Sequence, residues 1–194
     1  MRCMKIVVAG ISGNLGKSTL SAHMLVPRMK NAKLLIVESI NQDTRELVGA
    51  SEKIRGEDFK KIYMELVLHD DIVVDVGASN AEAFFEGLSS FSEGYDEVDL
   101  FVIPVVPGAK EQAESVLTAR MLEAMGVEKD KIRVVFNRVK RSVEDEFPEL
   151  LHLAAELECF IANPECMVFE NDIYEDLADL SLPLNDACAM ACDD

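Results

Sequence analysis

No apolar run in the sequence approaches the length needed to span a bilayer, and the N-terminus carries neither the apolar core nor the cleavage site of a secretory leader. The chain is therefore expected to stay in the cytoplasm. Positive charge is scarce: 19 Lys and Arg stand against 36 Asp and Glu, for a formal net charge of −17. Such a field repels nucleic-acid phosphates and anionic lipid alike, which argues against a bulk DNA binder or a membrane-surface protein. Histidine is rare, and His23, His69 and His152 are too scattered to suggest a catalytic or metal cluster. Cys3, Cys159, Cys166, Cys188 and Cys192 show no disulfide framework. Cys188 and Cys192 are spaced for one helix face, but they read as ordinary thiols rather than a metal pair. Repeats, low-complexity tracts and interdomain linkers are absent too.

What is present is a 194-residue chain, 49% hydrophobic and 28% charged, which suits one folded domain with a substantial core. Short β-branched runs predict strands near 5–10, 33–38, 71–76, 99–105, 132–137 and 158–162. Helical spacing predicts helices near 17–30, 57–69, 79–90, 109–125, 142–157 and 168–180. Strands apolar on both faces, alternating with helices, predict an α/β fold: a three-layer α/β/α domain with a mostly parallel central sheet. Ligands of such a sheet bind beyond the carboxyl ends of its strands, so residues just after the apolar runs are the candidates for function.

The first run leads into "GISGNLGKSTL", residues 10 to 20. Gly16-Lys17-Ser18 ends it like a phosphate-binding loop, but the common G-x-x-x-x-G-K-[ST] spacing would put a glycine where Ile11 stands. Gly13 and Gly16 permit backbone angles that turn successive N–H groups inward, into a nest for phosphate oxygens. Lys17 would reach the β- and γ-phosphates, the Ser18 hydroxyl would ligate Mg²⁺, and the helix opening near Lys17 would add its positive end. The competing reading is a plain strand-to-helix turn with an exposed lysine. Placement directly after the first strand favours the phosphate loop.

The loop is similar to the deviant Walker A motif, K-G-G-x-G-K-[ST]-T, of the ParA/MinD-like (SIMIBI) P-loop ATPases, which dispenses with the early glycine. Ser12 stands at the signature lysine, Gly13 matches, Asn14 replaces a glycine, and Gly16, Lys17, Ser18 and Thr19 match. "LLIVESINQD" (34–43) resembles the second strand of that family, with Glu38 at the first acid. "DDIVVDVGAS" (70–79) resembles its Walker B strand, with Asp75 as the acid, and "LFVIPVVP" and "VVFNRV" resemble the fourth and fifth strands. Within the family the short plasmid-stability StbB-like proteins look closest. The resemblance implies one ParA/MinD-like NTPase domain over 1–194, binding ATP and Mg²⁺.

Its implied site follows residue by residue. Ser12, Gly13, Asn14, Leu15, Gly16, Lys17, Ser18 and Thr19 would bind the phosphates. Ser18 and Asp75 would hold the metal, and Lys17, Glu38 and Asp75 would serve catalysis. Glu38 would orient the attacking water, with Asp43 as its substitute. Asn137 would contact adenine, since an amide both accepts from N6 and donates to N7. Asn137-Arg138-Val139-Lys140 lacks the carboxylate that guanine-selective N-K-x-D loops carry. Pro164 and Glu165 resemble the loop that covers the base.

Arg138, Lys140 and Arg141 form a tight basic cluster whose plain reading is a solvated helix entrance. The acidic tail with Asp186, Asp193 and Asp194 lacks the basic amphipathic helix of a membrane anchor. Ser12 in place of the signature lysine predicts slow hydrolysis by the protein alone and an ATP-dependent homodimer that is weak or needs a partner, and the resemblance implies a separate DNA-binding partner of StbA type. Two other readings stay open: a nucleotide-binding adaptor that has lost hydrolysis, and a small-molecule ligase like the dethiobiotin synthetases, whose loop keeps the distance from Gly10 to Lys17.

Overall fold

A computed structural model describes residues 3–39, 52–91, 94–180, 182 and 184–190. Asp43, Cys192, Asp193 and Asp194 lie outside these described residues. Seven strands form one sheet in the order β3-β2-β4-β1-β5-β6-β7, and every pairing is parallel. They are β1 (Lys5–Val8), β2 (Lys33–Val37), β3 (Glu52–Ile54), β4 (Ile72–Val76), β5 (Leu100–Val105), β6 (Ile132–Val139) and β7 (Ile161–Phe169).

Because side chains alternate along a strand, each central strand feeds two cores. Val7, Leu35, Val37, Val74 and Val76 face one side, packed with Phe59 and Ile62 of α2 (Phe59–Leu68), Phe84 and Leu88 of α3 (Ala81–Ser90), Leu122 of α4 (Ala109–Ala124) and Leu150 of α6 (Pro148–Leu157). Ile6, Val8, Leu34, Ile36 and Val73 face the other, against Leu20 and Ala22 in the helix that follows the glycine loop. The three-layer α/β/α expectation is met, with a sheet wholly rather than mostly parallel among the described strands. Among the described residues, no helix is long and apolar enough to cross a membrane.

Five of the six expected strands stand where the apolar runs are, and the departures have local causes. Strand β3 follows a polar stretch and is only three residues long, which leaves no run to read. Strand β7 starts at Ile161 rather than 158, because Glu158 takes a left-handed conformation (φ 53°) that closes α6. It then runs on to Phe169, into the stretch expected to be helical. The last long helix, α7 (Ile173–Leu180), begins only after Asn171, whose Oδ1 accepts the Ile173 N–H at 3.0 Å. A further helix, α8 (Leu184–Met190), follows.

The expected helix 142–157 is broken into α5 (Val143–Glu146) and α6 at Phe147, the residue before Pro148, where the proline ring disfavours helical angles. The helix after the loop is continuous in direction but changes pitch. It is α-helical over α1 (Lys17–Thr19), π-helical over Leu20–Leu25, and 3₁₀ over Val26–Arg28 where Pro27 lacks a donor.

Candidate functional site

Strand β1 lies between β4 and β5, its neighbours on either side, and chain direction along the sheet changes there. The crevice at such a point is where an open parallel sheet takes its ligand. Register places Val8 beside Asp75, and Asp75 beside Ile36, so the carboxyl ends of β1, β4 and β2 deliver the loop, Asp75 and Glu38 to one spot.

Residues 12–19 wrap around the Lys17 side chain. Its Nζ donates to the Gly10 carbonyl at 3.3 Å and the Ser12 carbonyl at 2.7 Å. Burial pushes its pKa down, and the nearby Asp75 and Glu38 charges push it back up. The turn depends on Gly16 at φ 79°, where a Cβ would collide with the Asn137 amide. The second left-handed residue is Asn14 (φ 56°), not Gly13 as the glycine pattern suggests. Asparagine is among the few side chains that tolerate that region. At the loop's start the Ile11 N–H donates to Thr118 Oγ1 of α4 at 3.3 Å, a brace with no signature in the loop sequence.

Asp75 is 3% exposed, and burial raises its pKa to about 6 against the lowering effect of a hydrogen bond from Ser18 and the charge of Lys17. Its Oδ1 and the Oε2 of Glu38 are buried without a hydrogen-bond partner. Two orphaned carboxylate oxygens beside a serine hydroxyl are hard donors of the kind Mg²⁺ takes, so the residues fit that ion. No group of three or more His, Cys, Asp or Glu gathers among the described residues, so a cation here would rely on phosphate oxygens and water for its other ligands. The Cγ of Glu38 lies 3.0 Å from where a Cβ on Gly77 would sit, so glycine there admits the acid to the site.

Two cavities meet at the loop. One, of about 500 Å³, is lined by residues 13–19 with Glu38, Gly77, Ala78, Ser79 and Arg138. The other, of about 600 Å³, lies beyond Asn14, Gly16 and Thr19, between Asn137 and the segment Phe169–Asp172 with Tyr174 and Glu175. Asn137, the expected adenine contact, lines the second cavity and also serves the loop. Its Nδ2 donates to the Leu15 carbonyl at 2.8 Å, and its Oδ1 accepts the Arg138 N–H at 3.0 Å. One proton and one lone pair of the amide remain for a base.

Pro164 does not follow the last strand as expected and does not line the second cavity. It lies within β7, where the register slips against β6, and it lines a separate depression with Arg141, Ser142 and Glu165. The cover of the second cavity comes instead from Phe169 to Glu175. The sequence cue for that segment is the Asn171-Asp172 pair ahead of the helical run, a helix-start signal. Arg138, read as part of a solvated cluster, turns back to the loop, and its Nη2 donates to Asn14 Oδ1 at 3.1 Å.

No protein-family model matches the chain, and no curated protein matches its sequence. Solved structures do match. The cell-division protein MinD of Aquifex aeolicus shares 21% identity at a TM-score of 0.64, over 93% of this chain and 88% of that one. MinD of Pyrococcus horikoshii, complexed with Mg-ADP, shares 14% identity at 0.59, over 93% and 86%. A plasmid partition protein of Borrelia burgdorferi bound to AMPPNP shares 16% identity at 0.55, over 91% and 90%. At these identities the likeness establishes the fold: a parallel sheet with helices on both faces, as in MinD and ParA P-loop proteins.

Proposed function

We propose that the protein is a Mg-ATP-dependent P-loop ATPase of ParA/MinD type, closest in kind to the StbB plasmid-stability proteins. It acts as a nucleotide switch in plasmid maintenance or positioning. One observation carries this reading: the buried Lys17 ammonium, the Ser18–Asp75 hydrogen bond and the orphaned oxygens of Asp75 and Glu38 converge under one loop at the carboxyl end of β1. Support comes from the fold, whose relatives above include proteins holding AMPPNP and Mg-ADP.

On this reading Lys17 exchanges the Gly10 and Ser12 carbonyls for phosphate oxygens, and the loop N–H groups at Gly13 to Thr19 receive the others. Ser18 and Asp75 hold the metal. Mg²⁺, when bound, neutralises charge on the β- and γ-phosphate oxygens. Glu38, beside Gly77, orients the attacking water, and the second cavity takes the base, with Asn137 at its floor and the rings of Phe169 and Tyr174 at its edge. Ser12 supplies no positive charge where the resembling family has its signature lysine. Hydrolysis by the protein alone is therefore slow, on the order of 10⁻⁴ to 10⁻² s⁻¹, and the ATP-bound dimer is weak or dependent on a partner. That partner is a DNA-binding protein of StbA type.

Lys17→Ala is the test. It removes the phosphate charge partner and weakens Mg-ATP binding in calorimetry by at least about 100-fold. Unchanged affinity in a folded variant would sink the reading. Several turnovers per second without a partner would remove the switch but leave an ATPase, whereas binding with no hydrolysis under any condition would favour the adaptor.

A further inference from the structure

We propose that Arg138 is a phosphate-binding residue, clasping the link between the α- and β-phosphates at the seam of the two cavities. The inference rests on the nucleotide reading above and adds a residue to it.

Arg138 sits in β6 at φ 56°, a left-handed conformation that costs a non-glycine residue about 1 kcal/mol or more. The β6–β7 register is irregular between Phe136 and Val139, the stretch that contains it. At this break in the ladder the side chain reaches back to the loop, in a contact open to solvent. There it meets Asn14, also left-handed, 124 residues away in sequence, through the 3.1 Å bond from Nη2 to Oδ1. Two unfavourable backbone conformations facing each other through their side chains mark a geometry that the surroundings hold in place. Asn137 supplies the hold, since it accepts the Arg138 N–H and donates to the Leu15 carbonyl, tying Arg138 and the loop together.

A guanidinium has five donors, and the Asn14 carbonyl takes one. Arg138 lines both cavities, unlike Lys17, which lines only the phosphate side. Among the described residues, it and Lys17 are the cations lining these cavities, against Glu38, Glu170, Asp172 and Glu175. Lys17 lies deep under the loop with Asp75. Arg138 is common to both cavities, so a nucleotide spanning them would pass its α–β link beside it. A planar, forked cation suits two adjacent phosphates better than a point charge does.

The experiment is calorimetry of ATP and ADP with Mg²⁺ across a salt series, on wild type, Arg138→Gln and Arg138→Lys, with folding checked by thermal melting. Glutamine keeps a donor for Asn14 and loses the charge; lysine keeps the charge and loses the fork. The expected result is a roughly 10- to 100-fold loss for ATP and ADP alike in Arg138→Gln, with a flatter salt dependence, and partial recovery in Arg138→Lys. Arg138→Gln within twofold of wild type, a loss with unchanged salt dependence, or a loss for ATP alone would each overturn the assignment. In those cases the nucleotide reading stands, whereas wild type that binds neither nucleotide overturns both.

Discussion

Asp75 is held at a cost. Burial lifts its pKa to about 6 from 3.8, so between those values the unfolded chain is ionised while the folded site retains its proton. A raised folded pKa means stability that is full below 3.8 and lost as pH rises through about 6. At neutral pH the folded site carries the charge anyway, with one oxygen lacking a partner. Asp75→Asn should therefore stabilise the nucleotide-free protein by roughly 1–3 kcal/mol at pH near 7.5, seen as a higher melting temperature, while ATP affinity loses its dependence on Mg²⁺. A destabilised Asp75→Asn protein would show the carboxylate serves the fold rather than the site. The places of Lys17, Ser18 and Asp75 are legible in the sequence because Gly16-Lys17-Ser18 closes the glycine loop after the first apolar run and Asp75 stands near the carboxyl end of another. Arg138 was not: its direction depends on a positive φ that nothing in Asn137-Arg138-Val139 signals. Asn14 was half legible, since the site of the lost glycine was visible but not that asparagine would keep its left-handed backbone.

At the scale of elements, the long apolar runs read true and the polar connections did not. Strands β1, β2, β4 and β5 are buried on both faces and β6 on one, so their β-branched composition separates them from helices. Strand β7 has one neighbour, β6, and is mostly exposed, so its Asn163-Pro164-Glu165 centre looked like a loop. The carboxyl-terminal helices matter more than their polarity suggested. His23, 1% exposed in the π-helical stretch, accepts the Leu184 N–H through Nδ1 at 3.3 Å and lies beside the Tyr174 ring. Burial lowers its pKa from 6.5, so below that value the unfolded chain takes up a proton that the folded form refuses. Stability is thus present above 6.5 and declines as pH falls toward the folded pKa, where a protonated ring can no longer accept from Leu184. Protection factors, corrected for the slower intrinsic exchange in acid, should fall across Leu184–Met190 between about pH 7.5 and about pH 5 more than at the strand amides, and His23→Gln should flatten that difference. An equal fall in protection throughout would remove His23 as the clasp.

Over the whole molecule, charge decides what the protein can hold. DNA binding draws on counterion release, and each phosphate contact needs a well-placed cation. The chain has 19 basic residues against 36 acidic ones, and its tightest basic cluster is Arg138, Lys140 and Arg141. The structure ties down part of that cluster. Arg138 turns onto Asn14, Lys140 Nζ pairs with Glu170 at 2.9 Å, and the backbone N–H groups of Lys140 and Arg141 are capped by the Glu146 carboxylate. What positive field remains is opposed by the net charge of −17, and at moderate salt only charges within about 10 Å count in its favour. Purified protein with ATP and Mg²⁺ should therefore show no micromolar binding to duplex DNA near physiological salt, and lowering the salt should recover little affinity. A salt titration by fluorescence anisotropy checks this. Micromolar or tighter binding, lost on neutralising Lys140 and Arg141 together, would mean that Lys140 leaves Glu170 and joins Arg141 on DNA. It would also remove the proposed DNA-binding partner, since the protein would then carry its own contact.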